Sequence, residues 1–402
     1  MNSERIEENK RRAWDAFVSG DLTLKSKPFR ASIEISRNCD LKCIMCPRSR
    51  RPEYRVHHPE FDMTPELFQE IACEIFPHLE EAHLQGLGET VISPHWMRIL
   101  ELCKPFAPTT SFSIVTNLNR KDDEMWREMV GMGFKIVFSC DGATKGTFEA
   151  IRRGSCFERI LANLEVVQEA MRANGGGKLH FLVTLQKLNY EEMPLFIDLA
   201  ARYGAEQVGF LSVQEDVSMN PCRVLPALAK HPIRGLAALP AYVKRCAAAL
   251  AKLPGRPGNL GLHDLPISRL MELKKRTLER AGMAGMAVTF TDAFFDEIGK
   301  SPAAPPLESL GCEEGIRESR RVAVHHKCFK PFSYMVVNYK GDVGPCCHLI
   351  SDGSWEQMGN LRESSFDEIW NSKRYREIRK THLAGKPDNP ACRWCFSHRM
   401  DE

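Results

Sequence analysis

Six strand signals, each but the last followed by a helical one, fill residues 29–212 and limit what this chain can fold into. Residues 29–36 read as the first strand. Thr64 followed by Pro65 supplies an N-cap and a proline at the first helical position, opening a helix to about residue 78. Strands are expected at 82–85, 111–116 and 135–139, with helices at 94–103 and 122–132, the second ending near Gly133. A long helical region covers 147–173 with a break expected near Gly154, and the glycine run 175–177 ends it. Strand 179–186, helix 191–203 and strand 207–211 complete the series. Such an alternation requires a parallel sheet, closed or partly closed into a barrel. In sheets of this kind the chemistry sits on loops after the C-terminal ends of the strands.

Around this core the chain divides further. Residues 1–28 read as a helical N-terminal arm ending in a turn at Lys27-Pro28, and 29–212 as the barrel. Residues 213–325 are less regular, with several prolines, an Ala-rich helix near 240–252 and a helix near 267–281. They are expected to bridge two domains and to shape a substrate pocket. Residues 326–402 form a compact cysteine-rich module. The fold class is therefore α/β, a partial (β/α)6 TIM-like barrel followed by a small α+β domain.

The formal net charge is +3, which points to no nucleic-acid or membrane partner. The most apolar run, 241–253, is short and carries three cations, so it does not span a bilayer. The first residues are highly charged and lack a secretory apolar region, so the reading is cytoplasmic. Fifteen cysteines in such a chain fit a disulfide framework poorly, the count being odd. Clustered cysteines in a reducing compartment hold metal or do redox work.

The first cluster lies in the loop after the first strand, CDLKCIMCP, with Cys39, Cys43 and Cys46. Three thiolates do not close a tetrahedral zinc site, which needs a fourth ligand. They suit an iron–sulfur cluster with one iron open to a small molecule. The spacing also admits a zinc loop completed by His57 or His58, or three unrelated core thiols.

A CX3CX2C loop directly after a first strand resembles the signature of the radical S-adenosylmethionine (SAM) superfamily. That resemblance implies a [4Fe–4S] cluster on Cys39, Cys43 and Cys46, with SAM on the fourth iron. Met45 stands where the family usually has an aromatic residue, and its thioether can still pack beside an adenine. Gln85, Gly86, Gly88 and Glu89 resemble the family's Gly-Gly-Glu element, which meets the SAM amino group. Thr116 and Asn117 end the third strand, where the family places polar contacts to SAM. Ser139, Cys140, Asp141 and Gly142 resemble its Ser-x-Asp-Gly element, and Arg152 stands where an arginine commonly pairs with the SAM carboxylate.

The second cluster comprises Cys328, then Cys346 and Cys347 after a strand pair turning at 340–342, then Cys392 and Cys395. Alone, C…C…C-x2-C is four-ligand metal spacing that favours zinc. Beside the first motif it resembles the SPASM or twitch extension of radical SAM enzymes, with its Gly-x-Val-x-Pro-Cys and GNL…SFDEIWNS segments. This implies one auxiliary [4Fe–4S] cluster on Cys328, Cys346, Cys392 and Cys395. Cys347 is the competing choice for the position given to Cys346. Phe366, Ile369, Trp370 and Tyr375 read as hydrophobic core.

The resemblance implies an oxidoreductase that generates a 5′-deoxyadenosyl radical, fed by a flavodoxin- or ferredoxin-type donor, with the auxiliary cluster assisting oxidation. The short N-terminal arm favours a small polar metabolite over a peptide. An epimerase returning hydrogen from a thiol is the alternative, with Cys140, Cys222, Cys246 and Cys312 as spare cysteines and Cys140 as the candidate donor. A peptide-modifying SPASM enzyme is a further alternative, and a zinc-binding scaffold is the alternative from another class.

Overall fold

The computed structural model describes residues 2–50, 56–213, 260–262, 265–290, 328–346, 357–389 and 392. Helix α1 (Asn2–Ser19) leads into β1 (Arg30–Ile33). The alternation continues through α2 (Pro65–Ile75), β2 (Glu81–His83), α3 (Trp96–Cys103), β3 (Ser111–Thr116), α4 (Asp123–Gly131) and β4 (Lys135–Ser139). It then runs through α5 (Lys145–Ile151), α6 (Phe157–Asn174), β5 (Lys178–Leu185), α7 (Met193–Arg202) and β6 (Gln207–Ser212). Next come α8 (Ile267–Ala284), β7 (Ala287–Phe290), β8 (Tyr334–Val337), β9 (Asp342–Gly344), β10 (Gly359–Asn360), α9 (Phe366–Trp370) and α10 (Lys373–Leu383).

Local chemistry sets these boundaries. Thr64, Asp122 and Thr144 cap α2, α4 and α5 by accepting from Leu67, Met125 and Thr147 backbone N–H groups. The expected break near Gly154 separates α5 from α6, with that glycine at φ 95°. Ser365 and Glu368 form a reciprocal capping box that starts α9.

The ten strands among the described residues join one sheet in the order β10-β9-β8-β1-β2-β3-β4-β5-β6-β7, parallel from β8 through β7. Alternate strand residues face the helices and are buried, among them Ala31, Ile33, Ala82, Phe112, Ile114, Ile136, Phe138, Leu179, Phe181, Val208 and Phe210. Phe112 stacks on Phe134 at 5.3 Å and Phe138 on Phe148 at 5.9 Å within this layer. The opposite parity faces the concave side and carries most of the polar strand residues.

Two strand pairings go beyond the sequence expectation. β7 lies inside the segment read as an irregular bridge, yet it pairs in parallel with β6. Its four residues are too short a run to stand out by periodicity. The C-terminal hairpin β8–β9 pairs with β1, so the cysteine-rich module continues the barrel's sheet. The helix expected at 267–281 is α8, and the one expected at 240–252 lies outside the described residues.

The N-terminal arm is clamped against the C-terminal helices. Asn371 accepts from the Leu24 N–H at 2.8 Å and donates to the Leu24 carbonyl at 3.0 Å. Arg379, buried, donates to the Pro331 and Leu22 carbonyls and lies over Trp370 and Tyr375. Asn371→Ala leaves both Leu24 groups without this partner and is expected to cost about 2 kcal/mol, read as a lower urea midpoint with unchanged slope. An unchanged midpoint would show the clamp to be replaceable by water.

Candidate active site

The loop carrying Cys39, Cys43 and Cys46 leaves the C-terminal end of β1 and is fixed on three sides. Lys42 and Ile44 N–H groups donate to the Arg153 and Ile151 carbonyls at 2.8 and 3.0 Å. The two oxygens of Asp40 accept from the Asn117 and Asn119 amides at 2.8 and 2.6 Å. Leu118 between them has φ 55°, a left-handed turn that sets both asparagines against one carboxylate. On the third side the Asn38 amide donates to the His58 carbonyl and to Asp62.

Cys43 is buried, and Cys39 and Cys46 are half-buried. Burial pushes the Cys43 thiol up to about 11, against the favourable Arg152 charge, and Cys39 well above the ordinary thiol range. Ionising these thiols is therefore unfavourable unless positive charge arrives with a ligand, as an iron cluster provides. Among the described residues no three His, Cys, Asp or Glu side chains converge as ligands of a single metal ion. His57 and His58 approach Asp62 and Glu60, at 3.6 and 3.3 Å.

The segment after β2 fits against this loop with no space to spare. A Cβ on Gly88 would overlap the Asn38 and Ser36 carbonyl oxygens, and one on Gly86 would overlap the Glu34 side chain. The Glu89 N–H donates to the Asn38 carbonyl at 2.7 Å. Glu34, fully buried, accepts from the Leu87 N–H and pairs with Arg37 at 2.9 Å. The Glu89 carboxyl is buried and accepts from the Thr116 hydroxyl at 2.7 Å and the Asn117 N–H at 2.8 Å. Burial pushes its pKa up to about 7, the two hydrogen bonds opposing this. Gln85 stands half-buried beside these groups, and Met45 is half-buried within the cysteine loop.

Across the site, Arg152 is buried with Nη2 2.7 Å from Asp141 Oδ2 and Nη1 3.9 Å from the Cys43 sulfur. Burial lowers its proton affinity, but Asp141 and Cys43 outweigh this and keep it charged. Asp141 also accepts from the Thr184 N–H at 2.7 Å, tying the ends of β4 and β5 together. Ser139, half-buried, ends β4 on the concave side. Cys140 shares the parity of Ile136 and Phe138, is fully buried in the layer between sheet and helices, and donates to the Gly142 carbonyl.

Gln186, just after β5, is fully buried with neither amide atom hydrogen-bonded. It went unnoticed in the sequence, as did Glu34, Asp40 and Asn119. The Asn-x-Asn pattern after the third strand was a readable cue for the last of these. A lone glutamine after a strand offers no such cue.

At the other end of the sheet, Cys328 precedes β8 and Cys346 follows β9. The hairpin brings them together: Lys330 Nζ lies 3.8 Å from the Cys346 sulfur. Cys392 is half-buried, while Cys347 and Cys395, like the spare cysteines Cys222, Cys246 and Cys312, lie outside the described residues.

A parallel partial barrel with a three-thiol loop after its first strand and a glycine-lined carboxylate beside it defines an iron–sulfur enzyme with a small-molecule site. Residues 33–200 match the radical SAM superfamily, and residues 328–396 match SPASM, an iron-sulfur cluster-binding domain. The chain therefore carries a radical SAM domain and a C-terminal SPASM domain. Its cofactors are SAM, a [4Fe–4S] cluster and an auxiliary iron–sulfur cluster. The tungsten-containing aldehyde ferredoxin oxidoreductase cofactor-modifying protein of Pyrococcus furiosus is 28% identical over 171 residues, which is 40% of this chain. The chain spans 45% of that relative's length. Streptococcus suis SuiB bound to S-adenosylmethionine shares the fold with a TM-score of 0.57 and 15% identity, over 90% of this chain and 70% of SuiB. Native anSMEcpe with bound AdoMet shares it with a TM-score of 0.56 and 14% identity, over 88% and 84% of the two chains.

The Gln186 amide, unpartnered among the described residues, gives a stability test. Gln186→Leu removes a buried polar group that no described residue satisfies. Ligand-free protein is expected to gain about 1–2 kcal/mol in urea titration. A loss of that size would show that the amide is satisfied within the chain.

Proposed function

We propose that this enzyme oxidises a small polar metabolite held inside the barrel, the SPASM cluster taking up the second electron. One observation carries the reading. The 39–46 loop follows the C-terminal end of β1, whereas Cys328 and Cys346 flank the far end of the β8–β9 hairpin, beside the start of β1. The four residues of β1 between them span roughly 13 Å, and the concave face of the sheet lies in that interval. A substrate there would lose a hydrogen atom toward one end and an electron toward the other, releasing its proton to solvent.

When bound, the reduced [4Fe–4S] cluster supplies one electron that splits SAM into methionine and a 5′-deoxyadenosyl radical able to remove hydrogen from carbon. Cys39, Cys43 and Cys46 would hold that cluster. Glu89, with the glycine-lined Gly86 and Gly88 backbone and Gln85, would receive the SAM ammonium. Asn117, Thr116 and Ser139 would orient its polar groups, Met45 would pack beside its adenine, and Arg152 would place a positive charge near its carboxylate. Cys328, Cys346, Cys392 and Cys395 would hold the auxiliary [4Fe–4S] cluster. A flavodoxin- or ferredoxin-type protein would supply electrons, in the cytoplasm, where thiols stay reduced.

Oxidation is favoured over epimerisation by the burial of Cys140, whose thiol is fully buried in the hydrophobic core and donates to the Gly142 carbonyl. The name of the Pyrococcus furiosus relative concerns modification of a cofactor, which supports a non-peptide substrate here.

The reading makes SAM binding pH-dependent. A cationic ammonium needs Glu89 ionised, and its carboxyl titrates near 7. Below that value the SAM Kd is expected to rise by about tenfold per pH unit. Glu89→Gln should bind weakly at every pH, and its Kd should lose this slope. Equilibrium dialysis of anaerobic holoenzyme from pH 6 to 8.5 measures both. A wild-type Kd that is flat with pH would remove Glu89 from SAM recognition. In turnover with dithionite in D2O, 5′-deoxyadenosine should form and product should carry no solvent deuterium. Deuterium in product would instead favour epimerisation.

A further inference from the structure

Arg152 and Cys43 meet through a backbone register. The Lys42 and Ile44 N–H groups, on either side of Cys43, donate to the Arg153 and Ile151 carbonyls, on either side of Arg152. This two-bond bracket sets the two middle residues side by side. Arg152 Nη1 then donates to the Cys43 sulfur at 3.9 Å.

Helix α5 delivers the arginine, which ends it: the Arg152 N–H donates to the Phe148 carbonyl at 2.7 Å. That helix lies directly on the turn after β4. A Cβ on Gly142 would overlap the Phe148 backbone nitrogen and Cα, so the approach needs glycine. The same turn carries Asp141, whose Oδ2 lies 2.7 Å from Arg152 Nη2. Asp141 is itself fixed, its Oδ1 by the Thr184 N–H at 2.7 Å and its carbonyl by the Asn189 amide at 2.9 Å. Both charges are buried, Asp141 fully and Arg152 at 9% exposure.

The pair is therefore a fixed dipole in a low-dielectric site, with its positive end on one thiol of the loop. The loop's other side has the opposite character. Asp40 Oδ1 is 4.0 Å from the Cys39 sulfur, and that sulfur receives the Leu41 backbone N–H at 3.5 Å. A buried ion pair contributes little to stability by itself, and stability gives no reason for its cation to rest on a sulfur. An iron–sulfur cluster gives one. Reduction adds an electron to the cluster, and charge and hydrogen bonds at its sulfurs set how readily that happens.

We propose that the Asp141–Arg152 pair sets the reduction potential of the cluster on Cys39, Cys43 and Cys46. The guanidinium raises it through the Cys43 sulfur, and the carboxylate behind tempers that effect. The proposal rests on the assignment of a [4Fe–4S] cluster to those three cysteines. One electron enters from the flavodoxin- or ferredoxin-type donor, with no bond made or broken in the pair and no proton moved.

The test is a redox titration of anaerobic, reconstituted holoenzyme without SAM, followed by electron paramagnetic resonance. The signal of this cluster is the one absent from the Cys39, Cys43 and Cys46 triple alanine variant. Omitting SAM removes any effect of Arg152 that acts through the SAM carboxylate. Arg152→Met is expected to disfavour reduction tenfold or more, which lowers a one-electron potential by about 59 mV. Asp141→Asn keeps an acceptor for the Thr184 N–H and should shift the potential upward by a similar amount. Arg152→Lys keeps the charge and should stay near wild type. Arg153→Met, one residue on and exposed, should move the potential far less, because solvent and salt screen that charge. Opposite signs for the two partners are a signature that a purely structural pair would not give. Unmoved potentials, shifts of the same sign, or an equal shift in Arg153→Met would overturn the proposal. If Arg152→Met takes up no cluster, the sign of the Asp141→Asn shift decides. A wild-type chain without any iron–sulfur signal would sink the cluster assignment, and this proposal with it.

Discussion

The contact between the loops after β1 and β2 is the constraint on which the site depends. The Glu89 N–H reaches the Asn38 carbonyl, one residue before the first cluster cysteine, and Gly88 has no room for a side chain there. That approach places a buried carboxyl against a three-thiol loop. It also fixes the loop from beneath, while Asp40 and the two asparagines after β3 fix it from the side. Both fixations are made by groups of the chain itself. The cost is visible in the thiols themselves, which burial makes reluctant to ionise until a cluster brings positive charge.

A second consequence follows from strand order. Because β8 pairs in parallel with β1, the hairpin that carries Cys328 and Cys346 ends beside the beginning of the strand whose other end carries the first cysteines. One ladder therefore sets the separation of the two cysteine-bearing ends.

Much of this was legible from the chain alone. Strand–helix alternation gave the parallel sheet, because turn and cap residues such as Thr64, Asp122 and Gly175 mark the boundaries by local chemistry. The cysteine spacings marked both cluster regions. What escaped had non-local causes. β7 is only four residues long and is held by pairing with β6, which no local pattern announces. The partners of Asp40, Glu34 and Asp141 come from segments far along the chain, and Gln186 is notable only for bonds it does not make. Cys140, conspicuous in the sequence, is fully buried just after β4.

The central claim, two iron–sulfur clusters held by two separate sets of cysteines on one sheet, is tested most directly by counting iron and acid-labile sulfide in anaerobically purified protein. The account predicts about eight irons per chain in wild type and about four after Cys39, Cys43 and Cys46 are all changed to alanine. Zinc in place of iron, or about four irons that vanish entirely in the triple variant, would contradict it.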